Sequence, residues 1–279
     1  MSKIVTILFV GDVVGEPGRR AVARLLPDLR SKHGADFCVV NGENAAGGAG
    51  ITPKTFAELR EAGADVVTTG DHVWDNKEVM AVIGEEPRLL RPANYPQRAA
   101  GRGSAVVESN GCRFAVLDLM GRTFMKPVDC PFQGAERELP GLREKTPLIL
   151  VDIHAETTSE KIALGRFLDG KVSAVIGTHT HVQTADEQIF AGGTAFLCDA
   201  GMTGPHESVL GREIEPIIQR FISQMPQKFE VARHGIRLNG AVVRVDADTG
   251  HAVGIERISV PFPEDQPRIP GEPIKWEER

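Results

Sequence analysis

Five short apolar runs in this sequence each end in a cluster of carboxylate, amide or imidazole side chains. The runs are FVGDVVG, VVNGEN, VTTGDH, LILVDIHAE and AVIGTHTH, and the polar residues in them are Asp12, Glu43, Asn44, Asp71, His72, His154, His179 and His181. Such a run is typical of a buried parallel strand, and the carboxyl ends of parallel strands share the edge where ligands bind. The pattern therefore predicts an α/β protein in which distant residues converge on one site.

The segments between these runs have the spacing of helices. Residues 17–32 place their apolar side chains at intervals of three and four, which predicts a helix with one apolar face, and Pro27 predicts a kink or an early end. Residues 52–62 begin with Thr-Pro, the sequence of an N-cap followed by a first-turn proline. Alternation of strands and helices indicates βαβ units and a largely parallel sheet.

The rest of the chain is less regular. The dipeptide Asn110-Gly111 predicts a hairpin turn, and residues 121–138 show no clear period, which predicts a lid or a wall of the site. We expect a single domain over residues 1–260, followed by a Pro-rich, extended tail over 261–279. Three late segments are expected to form antiparallel strands, at residues 193–197, 237–245 and 253–258.

Composition excludes several classes of protein. The net charge of −6 provides no basic field for long nucleic acids, although a small nucleotide held by metal remains compatible with it. The four cysteines lie far apart with no C-x-x-C pair, so reduced thiols and a cytoplasmic location are expected. No apolar stretch reaches the length of a membrane span, so no membrane partner is expected.

The types and number of ligands in the polar clusters predict a metal site, and we expect two ions in it. Carboxylates suit hard divalent ions such as Mn²⁺, imidazoles suit Fe, Zn and Mn, and the mixture favours transition metals over Ca²⁺. His179 and His181 lie two residues apart, so in an extended segment both can face one cluster and yet contact different ions. In a two-metal site a water molecule between the ions is acidified into a nucleophile and phosphoryl oxygens are bound.

These motifs resemble the calcineurin-like metallophosphoesterases, and more narrowly the bacterial YmdB-type subfamily. The resemblance rests on GDVVGEPGR, VNGENAAGGAGIT, TTGDHVWDNKE, DIHAETTSEK, GTHTHVQTAD and DAGMTGPHESVLG, which follow one another between residues 11 and 211. It implies a single-domain, four-layer α/β/β/α sandwich. It also implies a two-metal phosphodiesterase that hydrolyses cyclic nucleotides, including 2′,3′-cyclic ones, with iron or manganese as the two ions.

The resemblance also implies a role for each polar residue. One ion would be held by Asp12, Glu43, Asn44 and His181, and Glu43 would bridge to a second ion held by Asp71, His154 and His179. A hydroxide bridging the ions would attack phosphorus, and His72 would be the general acid that protonates the leaving oxygen, which suits an imidazolium near neutral pH.

The sequence departs from the superfamily pattern in three places. Val14 stands where the first motif usually has a histidine, and Glu43-Asn44 replaces the usual bridging aspartate; the subfamily shares both changes. Asp71 stands where the family has asparagine, a change local to this chain. We expect its extra negative charge to tighten metal binding, to weaken attraction for phosphate, and to raise the pKa of His72.

Other functions remain open at this stage. A phosphomonoesterase uses the same kind of site, and a regulator that senses nucleotide or metal with little turnover is also compatible with it. Lys126 could bind substrate phosphate or lie on an exposed loop, and Asp75 could orient His72 or cap a helix. A homo-oligomer is possible, because oligomers occur among members of the subfamily.

Overall fold

The computed structural model describes residues 3–109 and 111–263, which form two β-sheets packed face to face with helices on both outer faces. The strands are β1 Ile4–Val10, β2 Phe37–Asn41, β3 Val66–Thr68, β4 Ser104–Ser109, β5 Cys112–Met120, β6 Ile149–His154, β7 Ala174–Thr178, β8 Gln188–Ile189, β9 Ala195–Leu197, β10 Gly204–Pro205, β11 Ile236–Asp246 and β12 Ala252–Pro261. The helices are α1 Gly15–His33, α2 Pro53–Glu61, α3 Pro131–Arg143, α4 Thr158–Phe167 and α5 Ile214–Ser223, with a 3₁₀ turn at Lys77–Ala81.

Each sheet has a parallel centre. The first sheet has the order β10-β11-β1-β2-β3, with β12 also paired to β11; β1, β2 and β3 are parallel, and β11 is antiparallel to β1. The second sheet has the order β4-β5-β6-β7-β9-β8, and β5, β6, β7 and β9 are parallel. Both sheets therefore have parallel strands whose carboxyl ends can converge on a site.

The period-two alternation of the strands separates three apolar layers. On β1, Ile7 and Phe9 face the second sheet, whereas Leu8 faces α1 and α2. Between the sheets Phe37 stacks on Phe114 with their ring centroids 4.8 Å apart. A third layer lies between the second sheet and the helices α3 and α4. The predicted α/β fold, a four-layer α/β/β/α sandwich in a single domain, is confirmed.

Helix α1 does not end at Pro27 but continues to His33. Pro27 is exposed while Leu26 and Leu29 are buried, so the carbonyl that loses its hydrogen bond lies on the solvent side. The apolar face stays continuous across the proline. The predicted early end was wrong because packing of that face outweighs the missing bond.

The irregular stretch predicted over residues 121–138 was wrong in its second half, where α3 begins at Pro131. Gly134 and Pro140 interrupt the helical pattern in the sequence, yet Leu139 and Leu142 are buried against the second sheet. Strand β9 is parallel to β7 and antiparallel to the short β8, so the antiparallel pairing predicted there is found on one side of the strand, and the β11–β12 pair is antiparallel as predicted.

The C-terminal boundary differs slightly from the expected one. Pro261 is the last residue of β12, and Phe262 is buried against the outer core. The remainder of the proposed tail, residues 264–279, lies outside the described residues, as does Asn110 of the predicted turn. Among the described residues, no helix has the length and hydropathy needed to cross a bilayer.

Candidate metal centre

The eight polar residues singled out in the sequence lie at the carboxyl ends of strands from both sheets. In the first sheet they follow β1, β2 and β3, and in the second sheet they end or follow β6 and β7. Because the sheets are stacked face to face, these two edges meet, and one site receives side chains from five strands. The convergence predicted from the sequence is therefore the geometry of the fold.

Four of these residues form a tight group. The ligand atoms of Glu43, Asp71, His154 and His179 all lie within 4.8 Å of one another. His154 Nε2 is 3.1 Å from Glu43 Oε1 and 3.4 Å from Asp71 Oδ1. His179 Nδ1 is 3.5 Å from Asp71 Oδ1. This group is the same set that the resemblance implies for the second ion.

The remaining three proposed ligands lie around this group rather than in it. Asp12 Oδ1 is 3.7 Å from His154 Nδ1, and Asp12 Oδ2 accepts a hydrogen bond from the His179 backbone N–H at 3.2 Å. Asn44 Nδ2 is 3.1 Å from His181 Nε2. Asp12 thus contacts the group of four, and Asn44 and His181 form a separate pair.

The donor atoms of the site fit a divalent cation. Asp12 Oδ1 and Asp71 Oδ1 are buried and have no hydrogen-bond partner among the described residues, although carboxylates this deeply placed normally have one. Burial, opposed in part by His154, raises the pKa of Asp12 to about 7. A cation beside these oxygens would supply the missing partner, and a mixed set of carboxylate and imidazole ligands suits Fe, Mn or Zn.

His72 lies at the edge of the group and is hydrogen-bonded to Glu43. Its Nδ1 is 2.7 Å from Glu43 Oε1, and its side chain is 34% exposed. That hydrogen bond raises the pKa of His72 against the opposing effect of burial, and the charge of Asp71 contributes less. The expected direction of the pKa shift is therefore found, but its main cause is Glu43 and not Asp71.

Lys126 places a positive charge beside the carboxylate of Asp71. Its ammonium donates to the Asp71 backbone carbonyl at 2.5 Å and lies 3.8 Å from Asp71 Oδ2. Asp75 Oδ1 lies 3.4 Å from the same ammonium, so its carboxylate faces Lys126. The 3₁₀ turn that follows is capped by Asn76 and not by Asp75. The loop that carries Lys126 therefore forms a wall of the site.

The tautomer of His154 is fixed by a buried network that the sequence analysis missed. Asp152 is fully buried and accepts a hydrogen bond from Thr178 Oγ1 at 2.8 Å. Because that hydroxyl hydrogen is directed to Asp152, its oxygen accepts from His154 Nδ1–H at 2.9 Å. The lone pair of His154 Nε2 then faces Glu43 and Asp71. The carboxylate within the apolar run LILVDIH was the signal that could have revealed this network.

A second missed network holds the backbone that carries His179 and His181. Both histidines have positive φ, 98° and 65°, which is unfavourable for residues with a β-carbon. Between them Thr180 donates through its backbone N–H and its hydroxyl to Asp199 Oδ2, at 3.1 and 2.8 Å. The same oxygen accepts from Lys161 Nζ at 2.8 Å, and both charged side chains are buried. Asp199 opens the motif DAGMTGPHESVLG, but sequence reasoning assigned it no role.

The outer nitrogen of His179 has a partner that was also missed. Its Nε2 lies 3.1 Å from Glu156 Oε2, on the loop after β6, while its Nδ1 faces the group of four. A carboxylate on the far nitrogen orients a histidine and increases its basicity toward a metal. Glu156 lies within the motif DIHAETTSEK, but sequence reasoning assigned a role only to the histidine.

Gly70 is required by the closeness of these side chains. A β-carbon on Gly70 would lie 2.2 Å from Glu43 Oε2 and 2.2 Å from His154 Cδ2. No side chain can occupy that volume without displacing one of the two. The glycine before Asp71 therefore allows the end of β3 to approach the other two residues.

Comparison with known proteins agrees with this geometry. A family model described as "YmdB-like protein" matches residues 8–258. The chain is 48% identical over 254 residues to the 2′,3′-cyclic-nucleotide 2′-phosphodiesterase of Bacillus subtilis (strain 168), covering 91% of this chain and 96% of that protein.

Two solved structures are also similar. One is a novel phosphatase from Mycoplasma pneumoniae, with a TM-score of 0.88, 36% identity, and coverage of 94% of this chain and 95% of that one. The other is a hypothetical protein from Thermus thermophilus, with a TM-score of 0.87, 42% identity, and coverage of 93% of this chain and 100% of that one. With a family match over most of its length and relatives at these identities, the chain belongs to the YmdB-like protein family.

Proposed function

We propose that this protein is a metal-dependent phosphodiesterase that hydrolyses 2′,3′-cyclic nucleotides. The observation that carries the proposal is the group formed by Glu43, Asp71, His154 and His179, four metal-binding side chains brought together from distant parts of the chain. The identity with a relative named for this activity supports the choice of substrate. Hydrolysis of 3′,5′-cyclic nucleotides and a cytoplasmic location are further parts of the proposal.

The residues of the site are proposed to hold two divalent ions, iron or manganese. The first would bind Asp12, Asn44 and His181, the second would bind Asp71, His154 and His179, and Glu43 would bind both. When bound, such ions supply Lewis-acid polarisation of phosphoryl oxygens and acidify a water molecule. The hydrogen bond from His154 Nδ1 to Thr178 supports this assignment, because it leaves the other ring nitrogen free to bind metal.

His72 is proposed to supply the proton. Its hydrogen bond to the Glu43 carboxylate raises its pKa and favours the imidazolium, and part of its side chain reaches solvent. A water oxygen forms a new bond to phosphorus and its displaced proton passes to solvent, the bond from phosphorus to the 2′ oxygen breaks, and the imidazolium donates its proton to that oxygen. The products are a free 2′ hydroxyl and a 3′ phosphomonoester, and the imidazole regains a proton from solvent, so one water molecule is consumed and the charge balances.

Lys126 is proposed to bind the anionic substrate. Asp71 adds a negative charge beside the place where phosphate would bind, and the Lys126 ammonium lies 3.8 Å from its carboxylate. The long, half-exposed side chain can contact Asp71 and a phosphate oxygen in turn. This arrangement allows the site to keep the extra carboxylate without repelling the substrate.

The test is hydrolysis of 2′,3′-cyclic AMP, 3′,5′-cyclic AMP and a nitrophenyl phosphomonoester by protein loaded with Mn²⁺ or Fe²⁺. We expect the 2′,3′-cyclic diester to be preferred and the 3′-phosphate to be the product. His72→Gln should lower kcat about 10²–10⁴-fold with unchanged metal content, as for loss of a general acid. Faster turnover of the monoester would identify a phosphomonoesterase, and bound nucleotide without turnover would identify a regulator.

A further inference from the structure

Residues 121–130 connect β5 to α3 and border the metal centre; we call this segment the site loop. Its first residue, Gly121, donates its backbone N–H to the carbonyl of His154 at 2.9 Å. Five residues later, the Lys126 ammonium donates to the backbone carbonyl of Asp71 at 2.5 Å. The site loop is therefore attached at two points to residues that are proposed metal ligands.

Glu160 of α4 fixes the turn between these two points. Its carboxylate accepts hydrogen bonds from the backbone N–H groups of Arg122 and Thr123, at 3.0 and 3.2 Å. The Met125 N–H donates to the Arg122 carbonyl at 3.3 Å, which closes a turn with Phe124 as its third residue. The backbone that carries Phe124 is thus held from both sides.

Phe124 combines an unfavourable backbone conformation with an open ring. Its φ of 59° is in the left-handed region, which glycine or asparagine usually occupies at the third position of a turn. Its side chain is 88% exposed, the largest fraction among the large apolar side chains of the described residues. A single exposed apolar residue needs no explanation by itself. A strained residue that displays an aromatic ring beside a metal centre indicates a functional contact.

We propose that Phe124 stacks on the base of the bound nucleotide and so contributes to substrate specificity. The inference rests on the proposed function, because it takes a nucleotide as the ligand of the metal centre. Every nucleobase has a flat face, and such faces stack on aromatic side chains whatever the hydrogen-bonding pattern of the base. Phe124 is accordingly expected to favour nucleotides over diesters that have no base, and purines over the smaller pyrimidines.

The position of the ring suits a base whose phosphate lies at the metal centre. Three residues of chain span at most roughly 11 Å, so Phe124 stays close to Gly121 and the His154 carbonyl. In a 2′,3′-cyclic nucleotide only the ribose ring separates the base from the phosphate. These dimensions allow the base to contact the ring while the phosphate is bound by metal.

The charges of the site loop suit the same ligand. Arg122, Phe124 and Lys126 alternate along the chain, and all three are exposed. The positive side chains attract the anionic part of a nucleotide, and the ring between them supplies contact area for its uncharged base. The site loop therefore offers both kinds of contact that a nucleotide requires.

The first experiment is steady-state hydrolysis of 2′,3′-cyclic AMP and glycerol 1,2-cyclic phosphate by Mn²⁺-loaded proteins. We expect Phe124→Ala to raise KM for 2′,3′-cyclic AMP about 5–20-fold, the lower part of the range for one stacked base. It should leave KM for glycerol 1,2-cyclic phosphate, which has no base, unchanged. Phe124→Trp should keep the wild-type KM for both substrates. Phe221→Ala, at a 78% exposed phenylalanine on α5, is the matched control and should change neither KM.

The second experiment is independent of turnover. Adenosine 3′-phosphate and glycerol 2-phosphate are titrated by calorimetry into the same metal-loaded proteins. We expect Phe124→Ala to weaken the binding of adenosine 3′-phosphate by the same about 5–20-fold and to leave the binding of glycerol 2-phosphate unchanged.

The outcomes separate this proposal from the proposed function. Equal KM and Kd in wild type and Phe124→Ala would overturn the stacking role. An equal loss for the ligands without a base would also overturn it, because Phe124 would then only shape the site loop. Weaker binding of adenosine 3′-phosphate by Phe124→Ala, with no hydrolysis by wild type, would refute the proposed function and support the stacking role. Neither hydrolysis nor nucleotide binding by wild type would refute both.

Discussion

Replacing Asp199 with asparagine tests whether a buried ion pair fixes the backbone of His179 and His181, the proposed metal ligands. Asp199 accepts four hydrogen bonds: from Lys161 Nζ, from the Thr180 N–H and hydroxyl, and from the Gly201 N–H at 2.8 Å. Asparagine has nearly the same shape but no charge. The substitution leaves the Lys161 ammonium buried without an opposite charge, with only neutral acceptors such as the Thr178 carbonyl at 3.2 Å beside it.

The size of the effect follows from that unpaired charge. Removing one member of a buried ion pair costs about 3–5 kcal/mol in the free energy of unfolding, a large part of the ~5–15 kcal/mol of a typical domain. Removing both charges in Lys161→Met/Asp199→Asn leaves no buried ion at this position. We therefore expect the double variant to lose at least about 2 kcal/mol less than the sum of the single losses.

The assay is urea unfolding of the four proteins in a double-mutant cycle, together with Mn²⁺ affinity by calorimetry. Leu26→Ala is the matched control, because it lowers stability by a similar ~2–5 kcal/mol from a fully buried site on α1. We expect Asp199→Asn to weaken Mn²⁺ binding and Leu26→Ala to leave it unchanged. Additive single losses, or equal Mn²⁺ affinity in both variants, would refute the positioning role.

Three further changes follow from the contacts of the site. In a metal titration, Gly70→Ala should show no metal binding, because its new β-carbon would lie 2.2 Å from two site side chains. Gly84→Ala is the control: its β-carbon would have no atom within 4 Å, and it should bind metal as wild type does. Lys126→Met should raise KM for the cyclic diester about fivefold in steady-state kinetics, which corresponds to ~1 kcal/mol at a half-exposed site. The increase should be smaller in an Asp71→Asn background. Equal increases in both backgrounds would contradict the idea that Lys126 offsets the charge of Asp71. Burial, reinforced by the neighbouring Asp152, raises the pKa of Asp118 well above its ordinary value. The stabilising effect of the protonated side chain is therefore complete below about pH 4 and is lost as pH rises through the raised pKa. Unfolding at several pH values should show the free energy of unfolding of Asp118→Asn rising relative to that of wild type as pH increases, and a constant difference would contradict this.

The sequence predicted the parts of this fold in which local pattern and tertiary packing agree. The helix at Pro53–Glu61 has the Thr52 cap and first-turn proline expected from the sequence, and the strand predicted at the run VVNGEN is present as Phe37–Asn41. Prediction failed where packing outweighs local preference. Helix α3 contains Gly134 and Pro140, which conceal the period of its buried side chains.

The candidate site shows the same division. Residues that follow strands could be recognised because strand ends share one edge, and four of them lie together in the structure. Their supporting residues could not be assigned in this way, because Asp152 and Lys161 are defined by three-dimensional contacts and not by spacing.

The most direct test of the central claim is to measure metal content and 2′,3′-cyclic AMP hydrolysis on the same preparations of wild type and Glu43→Gln. Glu43 is buried and contacts both His72 and His154, so it connects the proposed acid to the proposed metal ligands. We expect wild type to bind two divalent ions per chain and to form the 3′-phosphate, and Glu43→Gln to lose metal and turnover together. Full hydrolysis by Glu43→Gln, or by wild type after metal removal, would contradict it.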